Sequence, residues 1–194
     1  LSSSSAASDV YKRQGIELAR FGQQDQIGPL VAAGIAREMG PFITALVLAS
    51  TYGSAMAAEM GTMAVSDELT ALEVMSIDRI SLLVLPRVVA LAIVCPAMTV
   101  ISDMVGIIGG GFVASAQLGV GWDLYLDSAF TSLSGLGQTI PIPKDVFGGL
   151  FKSFCFGIAV ALISCASGIS ARGGALGVGR ATIRAVRDAT ITII

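Results

Sequence analysis

The sequence contains no histidine and has few charged side chains. Charged residues make up 13% of the chain, whereas soluble domains average about 25%. Without histidine the chain lacks the commonest general base and the usual zinc ligand, and a Ser-His-Asp triad cannot be built. Neither a GxSxG nor a GxxxxGK[ST] pattern occurs, so no hydrolase nucleophile or P-loop is indicated. We expect no catalytic residue, no metal site and no cofactor in this chain.

Basic clusters and cysteine pairs are also scarce. The net charge is −2, and no run of lysine and arginine follows a groove, so we expect no nucleic-acid partner. Cys95, Cys155 and Cys165 lie in apolar runs without CxxC spacing. They are typical of small core or lipid-facing residues rather than of a disulfide framework.

Long apolar runs dominate what is present, because hydrophobic residues make up 54% of the chain. About 20 apolar residues suffice for a transmembrane helix. The runs predict an all-α polytopic membrane protein, a helical bundle with spans at about 29–60, 80–113 and 146–171 and a truncated fourth span from 189. The alternative, a very apolar soluble α/β enzyme, would require strands and turns between these runs.

The first residues read differently from the rest. The string SSAASDVYKRQ, from Ser4 to Gln14, resembles the translation of an adapter used in preparing sequencing libraries. A natural serine-rich tail is the alternative. We expect residues 1–14 to be such an artefact and residues 15–194 to be an internal piece of a longer membrane protein.

Several charged residues lie within or beside the predicted spans. Arg37 and Glu38 interrupt the first span, and Asp103 lies deep in the second. Each charge inside hydrocarbon costs roughly 2.5–3.5 kcal/mol on insertion scales. For these three residues we favour a polar cavity or a substrate path. For Glu59 and Arg87, near span ends, we favour pairing or snorkelling to the interface.

Small residues recur at every fourth position of the first span. At this spacing they share a helix face and allow another backbone to approach closely. The second span contains a GxxxG match. The predicted packing positions are Ala45, Ala49, Gly53, Ala57 and Gly61, with Gly106 and Gly110.

A short charged segment, SDELTALEVMSIDR, separates the first two spans. It predicts an amphipathic helix over 66–78, with Ser66 as its N-cap and Asp67 and Glu68 in its first turn. This helix could lie on the membrane as a connector or dock a cytoplasmic partner.

The arginine distribution predicts the orientation. Residues 172–187 are rich in arginine and are expected to form a cytoplasmic loop, with a flexible turn at 173–179. The acidic loop 114–145 then lies outside. Its aromatic residues Trp122, Tyr125 and Phe130 suit the water–lipid boundary.

The order of several motifs carries a family resemblance. ARxMGP at 36–41 is followed by AAEMGTM, DELTALEVMSIDR, LPRVVAL and RGGALGVGRATIRAV. From about Leu30 to Ile194, this order resembles the MlaE/YrbE permeases, the membrane subunits of ABC transporters that work with MCE-domain proteins.

The resemblance implies a multi-pass protein of the bacterial inner membrane. It implies a homodimer that binds a separate ABC ATPase subunit, which binds the ATP, and an MCE-domain protein on the outer side. The transported molecules would be lipids, often phospholipids, moved between the inner membrane and the outer envelope. The lipid-binding residues would include Glu38 and neighbouring positions such as Met39, and Arg37 could supply a second polar group at the level of the lipid head.

The resemblance also assigns the segment between the first two spans. In the family it is the coupling helix that engages the ATPase. Here that role maps onto Asp67, Glu68, Leu69, Leu72, Glu73 and Met75.

Two other functions remain open from the residues themselves. An ion-coupled secondary transporter could use Glu38 and Asp103 as proton or ion sites, although no inverted repeat is visible. A non-transporting membrane scaffold would use its polar residues only to pair helices.

Overall fold

The computed structural model describes residues 27–134, 136–137 and 140–194, most of which are helical. Within this part of the chain, three helices are long and apolar enough to cross a membrane: Ile27–Val65, Ile80–Ala116 and Val146–Ile169. The prediction of an all-α polytopic membrane protein is confirmed. The expectation about residues 1–14 lies outside the described residues.

Helix α1, Ile27–Val65, contains two π-helical turns. Its α-helical segments are Ile27–Gly34, Gly40–Leu48 and Ser54–Val65, and the π-turns are Ile35–Met39 and Ala49–Gly53. Pro41 follows the first π-turn and has no backbone N–H to donate. The Gly40 N–H donates to the Ile35 carbonyl, five residues back. The first π-turn thus lies directly before the position where proline interrupts the backbone hydrogen bonds of the span.

Helix α2, Glu68–Val74, is shorter than predicted. The prediction that Ser66 caps this helix is wrong, because its hydroxyl donates to the Thr62 carbonyl at 2.9 Å and closes α1 instead. Asp67 precedes α2 in the left-handed region, at φ 58°, and Ser76 follows it at φ 59°. Short polar side chains tolerate a positive φ better than β-branched side chains do. Because the backbone leaves the helical region at Ser76, the helix ends before the predicted residue 78.

Helix α3 covers residues 80–118, opening with a π-turn at Ile80–Val84 and continuing as Leu85–Leu118. The predicted non-spanning loop over 114–145 contains regular secondary structure that the sequence analysis did not predict. This region contains helix α4, Trp122–Ser134, and two short antiparallel strands, β1 Leu136–Gly137 and β2 Ile140–Pro143. Helix α5 follows at Lys144–Ile169.

Helix α6, Gly174–Ile193, corrects two predictions about the end of the chain. Residues 174–187 are helical rather than part of a loop, and the last helix begins at residue 174 rather than 189. Gly173 and Gly174 adopt positive φ and supply the bend before it. Helix α6 is not among the described helices that are apolar enough to cross a membrane. One face is buried, and it consists of Gly177, Ala181, Ala185, Ala189 and Ile193.

The described residues form two compact units. The first unit contains residues 27–40 and 100–149, and the second contains 41–99 and 150–194. The core of the first unit is built from Ile27, Ala32, Ala114, Val120, Tyr125 and Ala129. The larger core cluster of the second unit is built from Ala45, Leu48, Ala49, Leu91, Cys95, Val160, Ala161, Ala189 and Ile193.

Much of the apolar surface of the long helices faces outward. In the most hydrophobic 18-residue stretch of α3, only 22% is buried inside the protein. Ile93, Val105 and Phe112 are each more than half exposed. Apolar patches of this extent are rare on soluble monomers, and a hydrocarbon surrounding accounts for them.

Candidate functional site

A cavity of about 560 Å³ lies within the first unit. Helices α1, α3 and α4 supply most of its walls. The side chains around it are apolar apart from Asp103, namely Ala36, Val100, Met104, Ile107, Ile108, Trp122, Leu126, Ala129, Phe130, Leu133 and Val146. Its volume falls in the range of about 300–1,000 Å³ that is typical of small-molecule sites.

Asp103 brings a carboxylate to this apolar cavity. Its Oδ1 atom is buried and accepts no hydrogen bond from any residue that the structure describes. The carboxylate packs against Gly40, where a Cβ would overlap Oδ1. Glycine at position 40 therefore makes room for the acid. The sequence predicted a polar cavity or a substrate path at Asp103, whereas the structure places Asp103 in the lining of a cavity whose other side chains are apolar.

Tyr125 is buried in the core of the first unit. Its hydroxyl donates to the Ile107 carbonyl at 3.1 Å, and its ring packs near Gly110 and Gly111. Burial raises the pKa of Tyr125 to about 12, so the hydroxyl stays a donor at any ordinary pH. The predicted place for Tyr125 at the water–lipid boundary is wrong, because only 1% of this residue is exposed.

The predicted lipid-binding residues lie on the first π-turn of α1. Arg37 and Glu38 are exposed and Met39 is half-buried. They do not line the cavity, although their neighbour Ala36 does. π-turns are frequent at functional sites, which is compatible with a role for this turn. The lipid-binding role of the three residues stays a prediction.

The small residues predicted to pack in the first span are all buried in the second unit. Gly53 faces Ser164 and Val160 of α5, and Gly61 faces Val178 of α6. In the first unit, Gly106 lies against Ile35, and Gly110 lies against Val31 and Tyr125.

Sequence reasoning missed two glycines at closer helix contacts. A Cβ on Gly157 would lie 2.6 Å from the Leu91 carbonyl oxygen, and one on Gly168 would lie 2.6 Å from the Met60 Cβ. It also missed the buried face of α6. The signal was available there, since Gly177, Ala181, Ala185 and Ala189 repeat the four-residue spacing of α1.

The other charged residues near span ends form a pair. Arg87 Nη2 lies 3.0 Å from Glu59 Oε2, with the glutamate side chain 65% exposed and the arginine 23% exposed. This is the pairing we favoured for these two residues. The other terminal nitrogen of Arg87, Nη1, is buried and donates no hydrogen bond to any residue that the structure describes.

The predicted coupling residues occupy α2 and its ends. Leu69 is buried and Leu72 is half-buried, so these two side chains anchor the helix. The remaining predicted residues, Asp67, Glu68, Glu73 and Met75, are exposed. Val74, which the sequence analysis did not select, is 82% exposed, and Met75 is 67% exposed. The end of α2 thus presents an apolar tip.

A basic hollow lies in the second unit beside α6. It has a volume of about 520 Å³ and is lined by Arg172, Arg180 and Arg184 with Ser170, Gly177 and Ile183. Farther along α6, Arg187 Nε donates to Asp188 Oδ1 at 2.8 Å, and this carboxylate raises the pKa of Arg187. Among the described residues, no group of His, Cys, Asp and Glu could hold a metal ion.

Comparison with known proteins places the chain in a family. The family described as Permease MlaE matches residues 9–194. The chain belongs to the MlaE permease family. It is 38% identical over 176 residues to a probable ABC transporter permease protein of Rickettsia bellii, and 38% identical over 179 residues to one of Synechocystis.

These MlaE relatives are longer than the chain. The alignments cover 91% of this sequence but 65% and 64% of the two bacterial proteins. A chloroplast protein of Arabidopsis thaliana, named TRIGALACTOSYLDIACYLGLYCEROL 1, is 36% identical over 170 residues. That alignment covers 88% of this chain and 46% of the plant protein. The family and the three apolar helices together make this chain part of a multi-pass membrane permease.

Proposed function

We propose that the chain belongs to the permease subunit of an ABC transporter that moves phospholipids between the inner membrane and the outer envelope. The observation that carries the proposal is the MlaE family match over residues 9–194. The names of the bacterial relatives support the transporter class. The plant relative is named after a galactolipid, which supports a lipid as the transported molecule.

The names of the bacterial relatives as ABC transporter permeases support a separate ATPase in the proposed assembly. We assign ATP hydrolysis to that ABC ATPase subunit, since this chain contains no GxxxxGK[ST] pattern. We place the binding surface for that subunit on α2. A homodimer of the permease and an MCE-domain protein on the outer side complete the proposed assembly.

The proposed lipid contact uses the first π-turn of α1. A phospholipid has a polar head and apolar tails, so its carrier requires a few polar groups beside an apolar surface. Arg37 and Glu38 place one positive and one negative charge on the same turn. Met39 is apolar and is followed along α1 by mostly apolar residues. The exposure of Arg37 and Glu38 leaves them accessible to a lipid head.

A transport assay with the full-length permease tests the function. The permease is reconstituted into vesicles with its ATPase and MCE-domain partner, and transfer of a fluorescent phospholipid to acceptor protein is followed. We expect transfer to require ATP and to be unaffected when ion gradients are collapsed. Transfer that follows an ion gradient without ATP would identify a secondary transporter. No transfer, with the complex intact, would favour a scaffold.

The apolar tip of α2 provides a separate test of the ATPase contact. We expect Val74→Asp and Met75→Asp to reduce the co-purified ATPase about tenfold, since an aspartate in an apolar contact must be desolvated, and tenfold corresponds to about 1.4 kcal/mol. Leu124→Asp is the matched control, because it places the same charge at an exposed apolar position of α4. Equal recovery of the ATPase with all three variants would show that α2 is not part of the interface.

A further inference from the structure

Three arginines of the second unit line one hollow that the proposed function does not use. Arg172 lies in the bend between α5 and α6, while Arg180 and Arg184 lie one turn apart on α6. Like charges at this spacing destabilise a helix. Among the described residues, no acidic side chain lines the hollow, and none of the three arginines forms an ion pair. An anion bound in the hollow would offset this repulsion.

Two local contacts hold these arginines together. A Cβ on Gly177 would overlap the Arg172 carbonyl oxygen, so glycine at this position lets the bend approach α6 closely. Arg184 Nε donates to the Arg180 carbonyl at 3.4 Å, which directs the Arg184 side chain back along the helix toward Arg180. This bond uses one of the five N–H groups of the guanidinium. The local structure thus gathers positive charge that repulsion alone would separate.

The hollow lies at the end of a helix that is apolar enough to span a membrane. The span Val146–Ile169 ends directly before Ser170, which lines the hollow. The polar headgroups of a bilayer begin at this level, just beyond the hydrocarbon core. The arginine-rich segment was also predicted to face the cytoplasm, where the membrane surface is negative because of its anionic lipids. The location therefore favours a lipid headgroup as the source of the anion.

Exposed apolar side chains accompany these charges on α6. Ile183 lines the hollow and is 70% exposed, and Leu176 is 77% exposed. Both lie three or four residues from Arg180, so the three side chains share one helix face. Arginine interspersed with exposed leucine and isoleucine is typical of helices at the water–lipid boundary. A soluble anion would require only the arginines, whereas an anionic lipid also accounts for the apolar side chains.

We propose that the basic hollow beside α6 binds the headgroup phosphate of an anionic phospholipid of the surrounding bilayer, with Ile183 in contact with the same lipid. Arginine suits this ligand, because its planar fork donates two charge-assisted hydrogen bonds to a phosphate. The site goes beyond the proposed function, since it lies in the second unit and uses neither Arg37 nor Glu38. Its binding is measured without ATP or partner subunits. A failure of transport therefore leaves it standing, and its own failure leaves the permease function standing.

Lipid binding to the full-length permease in a non-ionic detergent tests the proposal. Dioleoyl phosphatidylglycerol and dioleoyl phosphatidylcholine are titrated separately, and native mass spectrometry measures the binding of the first lipid. The two lipids have the same chains and the same phosphate, but the choline cation cancels the charge of the second. We expect phosphatidylglycerol to bind at about a tenfold lower concentration. Equal affinities for the two lipids would overturn the proposal.

Variants on α6 assign the preference to the hollow. Arg180→Gln and Arg184→Gln each remove one charge from an exposed position, and we expect each to weaken phosphatidylglycerol binding about fivefold and to leave phosphatidylcholine binding unchanged. Arg187→Gln is the matched control, since Arg187 lies outside the lining on the same helix and pairs with Asp188. An equal loss in all three variants would show a general effect of surface charge and overturn the site. The wild-type comparison stands even if a variant does not fold.

Two further measurements separate the lipid from other anionic partners. Glycerol phosphate carries the headgroup charge without acyl chains, and we expect an equal concentration of it to leave phosphatidylglycerol bound. Displacement of the lipid would identify a free phosphate compound as the ligand and overturn the proposal. Loss of the co-purified ATPase in Arg180→Gln and Arg184→Gln, with the lipid preference unchanged, would identify a protein contact and overturn it as well.

Discussion

Glu38→Lys in the full-length permease is expected to reduce photo-crosslinking of a phospholipid probe about tenfold, a change of about 1.4 kcal/mol in binding. The substitution reverses the charge on the exposed face of the first π-turn and places two cations side by side with Arg37. Two adjacent cations alter the polar surface that the lipid head would meet. The yield of crosslinked lipid per permease is the measurement.

Glu68→Lys is the matched control for that prediction. It makes the same charge reversal on an exposed residue of α2, in the second unit. We expect Glu38→Lys to lose lipid and keep the ATPase, and Glu68→Lys to keep lipid and lose part of the ATPase. Unchanged crosslinking in Glu38→Lys would rule out the proposed role of this residue.

Gly168→Ala is expected to destabilise the protein by about 1–3 kcal/mol, the range for inserting atoms into a packed core. The added Cβ would lie 2.6 Å from the Met60 Cβ and 2.8 Å from the Ala57 carbonyl oxygen. Alanine gains about 1 kcal/mol over glycine in helix propensity. The clash outweighs this gain because neither neighbouring atom can move without shifting the α1 backbone. The midpoint of thermal unfolding in detergent measures the difference.

Gly109→Ala tests whether the loss comes from the contact rather than from the substitution itself. Gly109 lies in α3, and a Cβ there would have no neighbour within 4 Å. Only the gain in helix propensity then remains, and we expect this variant to match or exceed the wild type in stability. A similar loss in both variants would mean that the contact at Gly168 does not limit packing.

The sequence predicted features that depend on local periodicity. Apolar runs located the three long helices because hydrophobic length alone decides whether a helix can span a membrane. The four-residue spacing of small residues from Ala45 to Gly61 indicated a packing face, and those residues are buried in the second unit. The same spacing in α6 was overlooked because glycines and arginines between those positions suggested a turn.

Features that depend on distant residues could not be predicted in this way. Tyr125 is buried because Gly110 and Gly111, which lie in another helix, leave room for its ring. The cavity around Asp103 draws its walls from α1, α3 and α4, so neither its volume nor Trp122 in its lining follows from any one segment. The predicted lipid-binding and coupling roles also concern partners and ligands, and they stay predictions.

The two π-turns of α1 affect how this helix tolerates insertions and deletions. Each residue of an α-helix advances the side-chain direction by about 100°. A π-turn holds about one residue more than the α-turn it replaces. Deleting one residue within Ala49–Gly53 would therefore let the segment relax into a regular α-helix while Ala57 and Gly61 keep their direction relative to Ala45. The composition of this packing face is thus more constrained than the length of the segment. An alignment gap placed in a π-turn of α1 would predict a regular helix with the same packing face.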